Sequence, residues 1–137
     1  MRQLSAIHLK IIENEFGKLN TREVIVTKER VQHIRDHHPQ DYALFVQYSD
    51  KTIIDPDAII KDVKNPNTIF MVLRLDDINL NGIVRLSVAN SDAPNLKNSV
   101  MTFYRIRNRN LAKLTEKNKV LDNRGLIWYT DSGESPK

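Results

Sequence analysis

The chain has 137 residues, a formal net charge of +4 and no cysteine. A chain of this length folds as one domain with a sizeable core, and the lack of cysteine excludes disulfide bonds and thiolate zinc or iron–sulfur sites. Its apolar runs are too short to span a bilayer, and Met1 opens an amphipathic segment, not a signal-peptide core. We therefore expect a soluble, cytoplasmic protein without a membrane partner.

Residues 3–16 carry apolar side chains at helical spacing and are followed by Gly17. This pattern predicts one amphipathic helix that ends at the glycine. The run 23–26 predicts a short edge strand. Thr27 is a good N-cap, so a second helix is expected from residue 28 to 37 or 38, just before a proline.

Residues 40–48 predict a third helical stretch, and Asp55-Pro56-Asp57 is expected to cap a short fourth helix. From residue 68 the pattern changes to two-residue alternation. It predicts strands at 68–75 and 83–89, joined by a hairpin connection, and a central strand at 97–107. Helices followed by strands with short connections indicate an α+β fold with an antiparallel meander.

The C-terminal part is expected to begin with a basic helix or turn after Asn108 and a short extended end. Residues 126–129 add an edge strand or dock on the body, and the sequence leaves both alternatives open. We expect a single domain over 1–130 and a flexible tail over 131–137.

Positive charge is concentrated in this part of the chain. Between Leu96 and Arg124 there are eight basic residues and two acidic ones, whereas acidic residues outnumber basic ones elsewhere. Such a distribution suits a polyanionic partner, although a solvated basic surface has the same pattern.

Three histidines fall within six residues of the second predicted helix. Imidazole titrates near neutral pH, so His33, His37 or His38 can act as a general base or acid, and Asp36 can orient one of them. The alternative for His37 and His38 is a purely structural role at the helix C-terminus.

His33 and His37 are also one helical turn apart, the spacing with which zinc sites take two ligands from one helix. However, Ile34 stands where a zinc peptidase has its glutamate, and no acidic cluster supplies a third ligand. We therefore expect no metal and no other cofactor.

The central strand supplies groups that a histidine base lacks. Cleavage of RNA without a metal needs a base for the 2′-hydroxyl, an acid for the departing oxygen, and donors around the charged transition state. The candidate hydroxyl donors are Ser99, Thr102 and Tyr104, each of which also suits an ordinary strand position. The candidate cations for the phosphate and the RNA backbone are Arg74, Arg85, Lys97, Arg105, Arg107, Arg109 and Lys113.

Six short motifs occur in a fixed order between roughly residues 24 and 123. They are Glu29-Arg30-Val31-Gln32-His33-Ile34, His37-His38-Pro39, Asp41-Tyr42, Asp55-Pro56-Asp57, Lys97-Asn98-Ser99-Val100-Met101-Thr102 and Asn118-Lys119. Together they resemble the phage-borne Barnase-EndoU-Colicin-RelE-like (BECR) nuclease families. The resemblance implies N-terminal helices packed on an antiparallel sheet of about four strands, and a metal-independent endoribonuclease activity.

The resemblance also implies site residues and partners. The family-like catalytic residues are His33, His38, Lys97, Ser99 and Thr102. Relatives often have arginine where this chain has His37, so which of the two adjacent histidines faces the site stays open. The implied partners are RNA, with transfer RNA as one candidate, and a neutralising immunity or antitoxin protein. Such domains occur in prophages, phage polyproteins and toxins, so delivery within a larger protein is a further expectation.

The leading hypothesis from the sequence is an RNA-cleaving domain that leaves a 2′,3′-cyclic phosphate and a 5′-hydroxyl. His33 is the expected base, with His37 or His38 second. The alternatives are a non-catalytic RNA- or protein-binding module on the same scaffold, and a structural phage module that assembles with partner chains. The sequence does not indicate an oligomeric state.

Overall fold

The computed structural model describes residues 2–89 and 97–123, which form four α-helices and seven strands. The helices are α1 (Ala6–Phe16), α2 (Lys28–His37), α3 (Tyr42–Ile54) and α4 (Asn108–Lys117). The strands are β1 (Arg2–Gln3), β2 (Glu23–Ile25), β3 (Ala58–Lys61), β4 (Thr68–Leu75), β5 (Ile78–Arg85), β6 (Asn98–Ile106) and β7 (Lys119–Asp122). A 3₁₀ turn, Pro39–Asp41, joins α2 to α3.

The α+β class is confirmed, but the expected sheet of about four antiparallel strands is wrong. All seven strands form one sheet in the order β1-β2-β6-β5-β4-β3-β7. The sheet is mixed because β2 runs parallel to β6, with Val24 opposite Asn98. The strand expected at 23–26 is present as β2, but it is not an edge strand, because β1 pairs with its other side. The strand β1 has two residues, which is too short for two-residue alternation to identify a strand.

The short helix expected after Asp55-Pro56-Asp57 is also wrong. Residues 58–61 form β3, which pairs with β4 and places Ile59 opposite Met71. Ala58, Ile59 and Ile60 are fully buried. A short apolar run that is covered on both faces has no period that separates a strand from a helix.

The strand expected at 83–89 instead occupies Ile78–Arg85. A two-residue turn at Asp76 and Asp77 connects it to β4, and Asp76 has a φ of 25°. The sequence predicts that the start of this strand is part of the turn, because it contains Asn79 and Asn81, and asparagine is common in turns. The predictions at 126–129 and 131–137 lie outside the described residues.

The two faces of the sheet carry different layers. On one face, Leu80 and Phe103 pack with Ile34 of α2 and Phe45 of α3; we call this the helix face. On the other, which we call the α4 face, Ile60, Phe70 and Ile106 pack with Leu111 of α4. Residues directly opposite each other on paired strands share a face.

Helix α2 lies along the edge of β6. The paired residues of β2 end opposite Ser99, and beyond that point Arg30 of α2 donates from Nη1 to the carbonyl of Met101 at 3.4 Å. Ile34 of this helix faces the core. The histidines of α2 therefore lie beside the second half of β6.

Candidate functional site

The three predicted histidines of α2 lie together. The ring centroids of His33 and His37 are 4.4 Å apart, and those of His33 and His38 are 6.4 Å apart. Local sequence explains this arrangement: the side chain of Thr27 caps the helix by accepting the N–H of Arg30 at 3.2 Å. The helix then ends at His37, before the 3₁₀ turn.

A stacked pair of rings joins this cluster to the central strand. The rings of His38 and Tyr104 are 5.5 Å apart with an interplanar angle of 21°. Tyr104 lies opposite Asn81 of β5, whose Nδ2 donates to the tyrosine hydroxyl at 3.2 Å. Tyr104 also packs against the apolar cluster of the α4 face. The two elements that the sequence singled out therefore meet at His38 and Tyr104.

A β-bulge sets which hydroxyl groups share a face of β6. Thr102 lies opposite Ile83, whereas Ser99 lies opposite Arg85, and the register shifts between these pairs. Because Ile83 and Arg85 are two positions apart on β5, Ser99 and Thr102 share a face although they are three positions apart on β6. Uninterrupted two-residue alternation would put Ser99 and Thr102 on opposite faces, and the bulge is the reason that it does not hold here.

Two buried polar atoms near Tyr104 have no partner among the described residues. They are Oδ1 of Asn81 and Oγ1 of Thr102. Leaving such an atom unpaired costs about 1–3 kcal/mol, and most buried polar atoms in folded proteins are paired. Unpaired polar atoms at this place indicate that packing alone did not select these residues.

The environment of His33 favours its neutral form. Partial desolvation lowers the pKa of His33, the charges of His37, Arg30 and His38 lower it further, and Asp36 acts in the opposite direction. An imidazole whose pKa lies below its ordinary value is neutral at pH 7 and can accept a proton.

Two predicted cations are bound to carboxylates and do not lie beside the hydroxyl of Tyr104. Lys97 pairs with Glu23 at 2.8 Å, about 20 Å from Tyr104 along β6 at the usual rise of a strand. Arg105 lies opposite Leu80, on the helix face, and its Nε donates to buried Asp41 at 2.7 Å. The structure therefore separates Lys97 and Arg105 from the hydroxyl of Tyr104.

The remaining predicted cations spread along the sheet and α4. Arg85 is exposed opposite Ser99, and Arg74 donates to both Asn79 and Asn108 at 3.1 Å. Exposed positions at the start and middle of α4 hold Arg107, Arg109 and Lys113.

Sequence reasoning missed Arg30 and Asn81 as members of the site. Arg30 gave a signal, since it lies three residues before His33 on the same helix face, whereas Asn81 was interpreted as part of a turn. The described part of the chain also lacks a cluster of metal ligands. Within residues 2–89 and 97–123, no group of three or more His, Asp or Glu side chains lies close enough together to hold a metal ion. No helix in these ranges is long and apolar enough to cross a membrane.

No family model, curated protein or solved structure matches this chain. The resemblance to the BECR families therefore stays a prediction that rests on the six sequence motifs.

Proposed function

We propose that this protein is an endoribonuclease that cleaves RNA without a metal ion, as the BECR resemblance implies. The observation that carries the proposal is the stacking of His38, the C-cap residue of α2, on Tyr104 of β6, with His33 and His37 next to His38. It places several proton-transfer groups beside a strand that also carries Thr102. Acid and base groups with different environments, close together, are what cleavage by the 2′-hydroxyl needs.

In the proposed reaction, the 2′-oxygen of a ribose attacks the adjacent phosphorus. The neutral imidazole of His33 takes the proton of the 2′-hydroxyl as the new O–P bond forms. The bond from phosphorus to the 5′-oxygen of the next nucleotide breaks, and that oxygen takes a proton from an acid in the site. The products are a 2′,3′-cyclic phosphate and a 5′-hydroxyl, so atoms and charge balance without a further reactant.

The acid and the stabilising donors come from the groups nearest His33. His38 or the hydroxyl of Tyr104 gives the proton to the departing oxygen, and His37 is the next candidate. Arg30, whose charge already acts on His33, supplies a cation for the phosphate. Oγ1 of Thr102 is buried, so the hydroxyl donor nearest the histidines is that of Tyr104. Preorganised donors of this kind lower the barrier of a step that builds negative charge.

The second candidate function is a module that binds RNA without cutting it. The observation that favours it is that Lys97, a cation expected at the phosphate, is paired with Glu23. Such a module keeps the basic residues around α4 and binds RNA with a steep dependence on salt. It does not need a neutral His33.

A pair of RNA oligonucleotides separates the two functions. Each has the same sequence, and one carries a single 2′-deoxynucleotide at the position where the other is cut. In EDTA, a nuclease of the proposed type cuts the all-ribose oligonucleotide and leaves fragments that end in a cyclic phosphate. It does not cut the oligonucleotide with the 2′-deoxynucleotide at that position. Binding of both oligonucleotides without any cleavage identifies the binding module instead.

A further inference from the structure

A cleft with a volume of about 430 Å³ lies at the end of β6, next to the histidine site. Its walls come from the 3₁₀ turn, the turn between β4 and β5, and the start of α4. Two of its residues adjoin the histidine site in the chain, because Gln40 follows His38 by two positions and Arg105 follows Tyr104. The volume is within the range of small-molecule sites, about 300–1,000 Å³.

On one side of the cleft, Asp41 of the 3₁₀ turn fixes the position of Arg105. The carboxylate of Asp41, which is 5% exposed, accepts from Nε of Arg105 at 2.7 Å and from the backbone N–H of Arg105 at 3.1 Å. These contacts occupy Nε, and neither Nη group of the guanidinium has a hydrogen-bond partner among the described residues, so both can bind a ligand. A guanidinium fork binds phosphate oxygens in pairs.

The start of α4 offers a second donor, the side-chain amide of Asn108. Oδ1 of Asn108 accepts from Nδ2 of Asn79 at 2.8 Å and from Nη1 of Arg74 at 3.1 Å. Asn79 is 1% exposed and is also fixed by the carbonyl of Ile106 at 3.1 Å. Oδ1 of Asn108 is thus engaged twice, whereas its Nδ2 has no partner within residues 2–89 and 97–123 and can donate to a ligand in the cleft that Asn108 lines.

We infer that this cleft is a subsite for one phosphate-bearing nucleotide of the RNA, adjacent to the bond that is cut. The inference rests on the proposed function. Arg105, Asn108 and the exposed Arg107 present donors, which suit the oxygens of a phosphate. Asp77 and the apolar side chain of Ile78 also line the cleft, and they suit the amino groups and ring of a base more than a bare phosphate.

The test compares two variants that each remove one positive charge near α4. Arg107→Gln changes an exposed residue that lines the cleft, whereas Lys117→Gln changes an exposed residue in the last turn of the helix. The probe is a fluorescent RNA tetranucleotide made uncleavable by 2′-deoxy substitution, and affinity is measured by anisotropy at fixed salt. We expect Arg107→Gln to weaken binding about tenfold, as for one lost charge-assisted contact, and Lys117→Gln to weaken it less than about twofold.

A second measurement locates the probe on the protein. Amide chemical shifts of the wild-type protein, titrated with a nucleoside 3′-phosphate, should move most at Gln40 and over residues 105–108. Equal losses of affinity in the two variants, or shifts confined to other elements, would overturn the subsite.

The outcomes separate the subsite from the nuclease. If the wild-type protein cuts RNA but both variants bind and cut alike, the subsite is wrong and the nuclease stands. If the wild-type protein cuts no RNA but the selective loss in Arg107→Gln persists, the nuclease is wrong and the nucleotide site stands.

Discussion

Asn81 donates its side-chain amide to the hydroxyl oxygen of Tyr104 at 3.2 Å, from the position directly opposite on the neighbouring strand. Because the tyrosine oxygen accepts this bond, the hydroxyl proton of Tyr104 is free for another acceptor. Asn81 is fully buried, and its Oδ1 has no partner among the described residues. A residue that costs stability in this way is best explained by what it does to Tyr104.

Asn81→Val should therefore separate stability from activity. Valine suits a strand and removes the unpaired amide oxygen, so we expect the free energy of unfolding to stay unchanged or rise by about 1 kcal/mol. RNA cleavage should fall as far as it does in Tyr104→Phe, and the double variant should be no slower than either single one. Urea unfolding and initial rates measure the two quantities.

Tyr104→Phe is the control for this prediction. If the Asn81→Val variant is folded and cuts RNA at the wild-type rate while Tyr104→Phe is slow, then Asn81 does not act through Tyr104. If Asn81→Val unfolds the protein, the predicted gain in stability is wrong.

The pH dependence of cleavage should reflect the lowered pKa of His33. A base acts in its neutral form, and the pKa of His33 is lowered by partial desolvation and by the nearby charges of His37, Arg30 and His38. The acidic limb of kcat/KM should therefore fall below the ordinary imidazole pKa of about 6.5. As the pH drops through that limb, His33 takes up a proton and the rate is lost.

Two substitutions should move this limb in opposite directions. Arg30→Gln removes a positive charge that lowers the pKa of His33, so the limb should shift to higher pH. Asp36→Asn removes the carboxylate that raises it, so the limb should shift to lower pH. Shifts in the same direction, or none in either variant, would assign the limb to another group.

Arg105 should prove important for stability. It is the ion-pair partner of the buried carboxylate of Asp41. Arg105→Leu leaves that carboxylate with one backbone donor, and we expect a loss of about 2 kcal/mol in the free energy of unfolding. Adding Asp41→Asn should recover part of the loss, because it removes the unpaired charge. A wild-type urea midpoint in Arg105→Leu would contradict this assignment.

Lys97 should matter little to cleavage. Its ammonium group pairs with Glu23, and half of its side chain is exposed. We expect Lys97→Met to keep cleavage within about twofold of wild type, and to change stability by less than about 1 kcal/mol. A large loss of kcat with unchanged binding would instead return Lys97 to the catalytic residues that the BECR resemblance implies.

The parts of the fold that could be predicted are those whose information is local. Thr27 and Gly17 mark helix boundaries through their own backbone and side-chain chemistry, and the eight-residue strand β4 has enough alternation to be identified. The strand β3 could not be distinguished from a helix, because its four residues are buried by neighbours far away in sequence. The parallel pairing of β2 with β6 likewise depends on the tertiary structure.

The site could be predicted in part for the same reason. The histidines of α2 and Tyr104 stand out as chemical types, and the structure brings them together. The bulge that moves Ser99 to the face of Thr102 has no signal in a single strand. Nor can a sequence show that Glu23 and Asp41 hold two of the expected cations, because these pairs form only when the chain has folded.

The most direct test of the account is cleavage of total RNA in EDTA by the wild-type protein and by His33→Ala and Tyr104→Phe, with the fragment ends identified. Matching thermal unfolding curves establish that the variants are folded. We predict cyclic-phosphate ends from the wild-type protein and their loss in both variants, because one base and one strand donor form a single site. Intact RNA at every protein concentration, or cleavage that both folded variants retain, would contradict it.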